Sequence, residues 1–193
     1  RRKVAELLNA APAEIFFMSG GTEADNTIIR NSIATYGIKV AITSKIEHHA
    51  VLHTLEHMEK LGIIQLHFVN LDEKGTVDYN HLEKLLLENN GAFVSLMHAN
   101  NEIGNITNLE RVGELCKEHD AFFHSDTVQS IGHSKIDLNA MNVDAILGSA
   151  HKFHGPKGVG VMYLNSNRSI PPMFIGGGQE RNMRGGTENV PGI

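Results

Sequence analysis

Seven short apolar runs punctuate the chain, at Ile15–Met18, Lys39–Thr43, Ile63–Val69, Ala92–His98, Ala121–His124, Ala145–Leu147 and Val159–Leu164. Longer amphipathic stretches lie between them, at Thr22–Thr35, His48–Leu61, Asp78–Glu88 and Leu109–His119. The short runs predict strands and the longer stretches predict helices; in the last, Leu109, Val112 and Cys116 fall at i, i+3 and i+7 on one apolar stripe. Arg1–Leu8 also reads as helix, and Asp72-Glu73-Lys74-Gly75 marks a turn between a strand and the next helix. Strands that alternate with helices in this way imply βα units. The fold class expected is α/β, three-layer, a mostly parallel sheet with helices on both faces. Open sheets of that kind bind ligands beyond the carboxyl ends of their strands. Chemistry is therefore sought where each apolar run stops.

Composition adds boundaries. The chain has 193 residues, one domain at the usual size of about 100–200 residues, with no repeat, low-complexity tract or linker. Hydrophobic residues make up 41% and charged residues 20%, enough to build a core. The net charge is −5, with no basic stripe of the kind nucleic acid demands. Cys116 is the one cysteine, so no intramolecular disulfide forms; a reducing, cytoplasmic setting is expected. No apolar run approaches the roughly 18 residues of a membrane span. Both ends are abrupt, and the expectation is a single domain, 1–193, incomplete at both ends.

Four strand ends carry candidate chemistry. After Met18 comes Ser19-Gly20-Gly21-Thr22, whose glycines permit a tight turn and whose Thr22 opens a helix with free N–H groups suited to phosphate; an ordinary helix cap is the competing reading. Neither G-x-G-x-x-G nor a Walker A pattern is present, which removes the main support for dinucleotide or P-loop binding. After His98 come Asn100 and Asn101, which suit a ligand contact and a plain turn equally. After His124 comes Asp126, a carboxylate that needs a cation if buried. A protonated pyridine nitrogen, as in pyridoxal 5'-phosphate (PLP), meets that need; Gln129 lies one turn on, and capping of a helix by Asp126 stays open. After Leu147 come Ser149, His151 and Lys152. A lysine beside a hydroxyl and a histidine suits covalent attachment to a carbonyl when desolvation favours its free amine. Lys157, in a Gly-rich turn, is the competing lysine.

Six motifs occur in one order: Ser19-Gly20-Gly21-Thr22-Glu23-Ala24-Asp25-Asn26, Glu47-His48-His49-Ala50-Val51-Leu52, Met97-His98-Ala99-Asn100-Asn101-Glu102-Ile103-Gly104, Asp126-Thr127-Val128-Gln129-Ser130, Ser149 through Gly158, and Gly176 through Asn189. Their succession closely resembles the cysteine desulfurases of the NifS/IscS branch, within the class V aminotransferase family of fold-type-I PLP enzymes. The resemblance implies the large domain of such a transferase, without its C-terminal small domain. It implies that Gly21, Thr22, Ser149 and His151 bind the PLP phosphate, that His48 stacks on the ring and takes part in proton transfer, and that Asn101 and Gln129 bond near the phenolic oxygen. Asp126 would pair with the ring nitrogen, Lys152 would hold the cofactor covalently and move the α-proton, and Thr187 would reach the phosphate of the other subunit of a homodimer. The implied reaction converts L-cysteine to L-alanine. The sulfur passes as a persulfide to a cysteine and onward, through an acceptor or scaffold protein, to iron–sulfur cluster assembly or tRNA thiolation. The family's sulfur-accepting cysteine and its carboxylate-gripping arginine lie beyond Gly176–Arg181 and have no counterpart here, so this chain alone is not expected to complete sulfur transfer. Cys116, on its apolar stripe, reads as a buried structural residue.

Three other readings compete. His49, His53 and His57 stand at i, i+4 and i+8 among 12 histidines, but no H-E-x-x-H pattern accompanies them, and a solvated helix face is expected rather than a metal site. A selenocysteine lyase or an aminotransferase of the same fold would keep PLP and change the reaction. A non-catalytic α/β binding domain would lack the cofactor altogether.

Overall fold

The computed structural model describes all 193 residues. Seven strands, β1 (Ile15–Met18), β2 (Val40–Thr43), β3 (Gln65–Phe68), β4 (Phe93–Ser95), β5 (Phe122–Asp126), β6 (Ala145–Ser149) and β7 (Gly160–Leu164), form one sheet in the order β1-β7-β6-β5-β4-β2-β3. Five helices accompany them: α1 (Arg2–Leu8), α2 (Gly21–Tyr36), α3 (His49–Lys60), α4 (Tyr79–Glu88) and α5 (Leu109–Glu118). The pairings from β3 through β6 are parallel. β7 runs antiparallel to both β6 and β1. The stretch joining β6 to β7 carries only a 3-10 turn at Ala150–Phe153. It lacks the helix that usually makes a parallel crossover, so the chain doubles back.

Side chains alternate across the strands, so each sheet face buries its own set. Phe122, Phe93, Ala41 and Leu147 point into one apolar cluster with Ile28 and Ile29 of α2 and Val51 and Leu55 of α3. Phe123, Val94, Ile42 and Ile146 point into the other, with Leu8 of α1, Leu82 and Leu86 of α4, and Val112 and Cys116 of α5. Both faces of the central strands are therefore covered, which explains why they read as continuous apolar runs. Helix starts follow local chemistry. Asp78 accepts N–H bonds from Asn80 and His81 at α4, and Asn108 accepts from Arg111 N–H at α5.

Strand directions set the position of the cleft. Because β7 is antiparallel to its two neighbours, the carboxyl ends of β1 and β6 lie at the same end of the sheet, with those of β4 and β5. Gly160 begins β7 opposite Met18. A Cβ on Gly160 would lie 2.7 Å from the Gly20 backbone, so only glycine allows the Ser19–Gly21 turn to sit this close to the sheet.

Candidate active site

The strand ends enclose a cleft of about 330 Å³. From the first strand end come Gly21 and Thr22; α2 begins at Gly21, preceded by Gly20, and no side chain caps it. Its first N–H groups thus face the cleft rim without the hydroxyl or carboxylate acceptor that an ordinary cap supplies. Arg184 pairs with Glu23 at 2.9 Å, tying the C-terminal segment to this first turn. Ser149, at the end of β6, is buried, and its hydroxyl lies 2.9 Å from His151 Nδ1. Both line the same cleft as Thr22.

Asp126 closes β5, two residues later than the strand end expected from sequence, and is only 3% exposed. Its Oδ1 accepts the Val128 N–H at 2.8 Å. Burial pushes this carboxyl up from the ordinary range, while that hydrogen bond and the neighbouring basic side chains His48 and Lys152 pull against the rise. Gln129, half-buried, lines the cleft beside it. His48 precedes α3 and caps it: Nδ1 accepts the Ala50 N–H at 3.1 Å, which puts the proton of the neutral ring on Nε2.

Asn100 and Asn101, equivalent in sequence, separate in structure. Asn100 is buried; its Oδ1 accepts from Glu102 and Ile103 N–H groups and its amide donates to the Ile46 carbonyl, so it builds the turn. Asn101 lines the cleft. Lys152 also lines it, from the 3-10 turn after β6, and its carbonyl accepts from His133 Nε2 at 2.7 Å. The lysine side chain is exposed, so the desolvation expected around it is not supplied by this chain's own packing. Lys157 lies on the exposed turn before β7 and does not line the cleft.

Nine of the ten residues singled out from sequence thus meet around one cleft. Thr187 does not join them: it is exposed and lines a separate cavity of about 150 Å³ with Ser19, Gly158 and Arg184. Two buried carboxylates escaped the sequence reading, one in the cleft wall and one behind it. Asp25, on the buried face of α2, lines the cleft, and Glu47, just before His48, is buried nearby with its Oε1 accepting from Ser44 Oγ at 2.7 Å and Met97 N–H at 3.1 Å. The signal for Asp25 was a carboxylate on the same helix face as Ile28, Ile29 and Ser32. His49 and His53 stack at 4.6 Å on an exposed face of α3, and no group of three metal-ligand side chains assembles anywhere in the chain.

A mostly parallel α/β sheet with a polar cleft across its carboxyl strand ends defines the class of protein. The family model for class-V aminotransferases matches residues 1–193, and the chain belongs to that family. A curated protein from Clostridium botulinum named cysteine desulfurase IscS is 47% identical over the whole chain, and one from Methanosarcina thermophila with the same name is 44% identical. The chain spans about half the length of the curated relatives it matches, 49% and 48% in these two cases. Among solved structures, a NifS-like protein superposes with a TM-score of 0.94 at 42% identity, covering 99% of this chain and 53% of the other. A structure described as SspA in complex with cysteine superposes with a TM-score of 0.92 at 34% identity, covering 99% and 56%.

Proposed function

We propose that this chain is the PLP-binding part of a cysteine desulfurase, which converts L-cysteine to L-alanine and passes the sulfur on as a persulfide. The observation that carries the reading is the meeting of a lysine, a buried carboxylate and an uncapped helix start in one cleft. Each answers one part of PLP: an aldehyde, a pyridine nitrogen and a phosphate. Lys152 would hold the aldehyde carbon, Asp126 the protonated nitrogen, and Gly21, Thr22, Ser149 and His151 the phosphate. Asn101 and Gln129 offer amides for the phenolic oxygen.

The fit rests on the donor set. Asp126 is a buried carboxyl whose ionised form a cation would stabilise, and the first turn of α2 offers N–H groups to an anion. When bound, PLP withdraws electrons from the substrate's α-carbon. The chain's own residues do the rest. Asp126 keeps the ring nitrogen protonated, His48 presents Nε2–H over the cleft, and Lys152 moves the proton at the α-carbon. Relatives that carry the name cysteine desulfurase, and a solved relative described with cysteine bound, support L-cysteine as substrate.

The sulfur acceptor is a residue other than Cys116, which is 1% exposed on α5 and faces the apolar cluster away from the cleft. Assembly as a homodimer is supported by Thr187, exposed outside the cleft, and by apolar side chains left open to solvent, such as Ile175, 91% exposed. The persulfide would serve iron–sulfur or thio-cofactor assembly through an acceptor or scaffold protein. A cytoplasmic setting suits the single reduced cysteine, and no helix is long and apolar enough to cross a membrane.

The test is borohydride reduction of the full-length protein with PLP, followed by peptide mapping, beside an assay of alanine released from L-cysteine. A pyridoxyl adduct on Lys152 is expected. An adduct on Lys157, or none in a folded full-length protein, would overturn the assignment.

A further inference from the structure

Behind the cleft lies a polar pair that neither cofactor contacts nor core packing accounts for. Asp25 on α2 is 1% exposed and His124 on β5 is 0% exposed. His124 Nδ1 lies 2.9 Å from the Ser95 hydroxyl on β4. Its other nitrogen, Nε2, lies 3.5 Å from Asp25 Oδ1, the outer limit of hydrogen bonding, and neither of these two enclosed atoms has another partner. Asp25 also forms part of the cleft wall with Asp126.

Two buried polar atoms that face each other with no other partner are costly unless a proton lies between them. That proton has two places to sit. On the ring, it would leave Asp25 as an anion near two further buried carboxyls, Asp126 and Glu47, in a poorly solvated region. On Asp25, it leaves both groups neutral and still bonds them. Burial acts the same way on each partner: it pushes Asp25 well up and His124 down to about 3. The ring's remaining proton then belongs on Nδ1, where the Ser95 oxygen accepts it.

We propose that Asp25 is a positioning residue that works as the neutral acid, donating its O–H to His124 Nε2 while the ring donates Nδ1–H to Ser95, so that Asp126 is left as the carboxylate that meets the ring nitrogen of the cofactor. Of the three buried carboxyls, only Asp126 has the basic side chains His48 and Lys152 acting against its rise. The last step rests on the PLP reading above; the protonation of the Asp25–His124 pair does not.

The decisive measurement is nitrogen-15 NMR of the full chain with labelled histidine and no PLP, with the His124 signals assigned by their loss in His124→Asn. Nδ1 is expected to carry the ring proton and Nε2 none. A proton on Nε2, alone or together with Nδ1, overturns the proposal whether or not the protein binds PLP. PLP affinity gives a second readout. Asp25→Ala leaves Nε2 without a donor and is expected to weaken binding by about tenfold. Asp25→Asn is expected to restore most of the loss, because its amide N–H replaces the acid O–H. An Asn variant as weak as the Ala variant would mean that the site needs an anion at position 25, and the proposal would fall. A wild-type protein that does not bind PLP refutes the functional assignment, and the NMR result still decides the pair.

Discussion

Glu47→Gln is expected to stabilise the protein increasingly as pH rises. Glu47 is 6% exposed; Oε1 accepts two hydrogen bonds but Oε2 has no partner, and burial pushes the carboxyl from its ordinary 4.5 up to about 8 despite those bonds. Between those two values the folded chain keeps a proton that the unfolded chain has released. The stability from this group is therefore fully present below pH 4.5 and is lost as pH rises through about 8. At about 1.4 kcal/mol per pH unit, the loss reaches on the order of 3 kcal/mol at pH 7. The substituted amide cannot titrate. It keeps an oxygen for Ser44 and Met97, and its N–H groups add an offset that does not vary with pH. Urea unfolding of both chains at pH 5, 6, 7 and 8, at one ionic strength, measures the gap. Taking the difference removes the titrations they share. A gap that widens toward pH 8 is expected; a constant gap, or one that closes with rising pH, would mean that Glu47 is ionised in the fold and would refute the reasoning.

Two further outcomes are expected. Gly160→Ala drives a Cβ into the Gly20 backbone, and because backbone yields less readily than a side chain, the cost is about 1–3 kcal/mol, read as a lower urea midpoint together with weaker phosphate binding at the turn. Cys116, buried and with its thiol pushed up by burial, is expected to stay silent to a thiol reagent in the native chain and to react with one equivalent on unfolding; prompt reaction in the native state would show that α5 opens.

The elements were legible because the central strands bury both faces and each helix only one. All seven apolar runs became strands, and the four amphipathic stretches became α2 to α5 within one or two residues. Strand ends were less legible. β5 and β6 run on through Ser125-Asp126 and Gly148-Ser149, because backbone pairing continues where hydrophobicity stops. Nor did the pattern distinguish the antiparallel β7 from a parallel strand, since direction is set by the short link from β6. Site residues were legible where a polar group follows an apolar run, as at Asp126 and Lys152. They were not legible inside a run. His124 and Asp25 sit at positions whose neighbours are core, and only the third dimension brings their unpartnered atoms to 3.5 Å. The exposure of Lys152 was equally invisible, because it depends on what packs over the 3-10 turn rather than on the turn itself.

The buried carboxyls also explain why the cleft and the fold pull in opposite directions. Asp25, Glu47 and Asp126 are each pushed upward by burial, so ionising any of them works against folding. A core built only for stability would place apolar residues of similar volume there. The three do not, however, cost the same. Asp25 has a histidine nitrogen facing it to take a hydrogen bond from its O–H, and Glu47 retains its proton up to about 8. Only Asp126 combines a backbone donor with the basic side chains His48 and Lys152, which oppose the upward push of burial there. A cationic ring nitrogen at Asp126 would reverse the sign of that burden, because a ligand that binds only the folded state adds its binding free energy to folding. The same carboxyl whose ionisation works against the fold would then be the group through which a bound cation stabilises it.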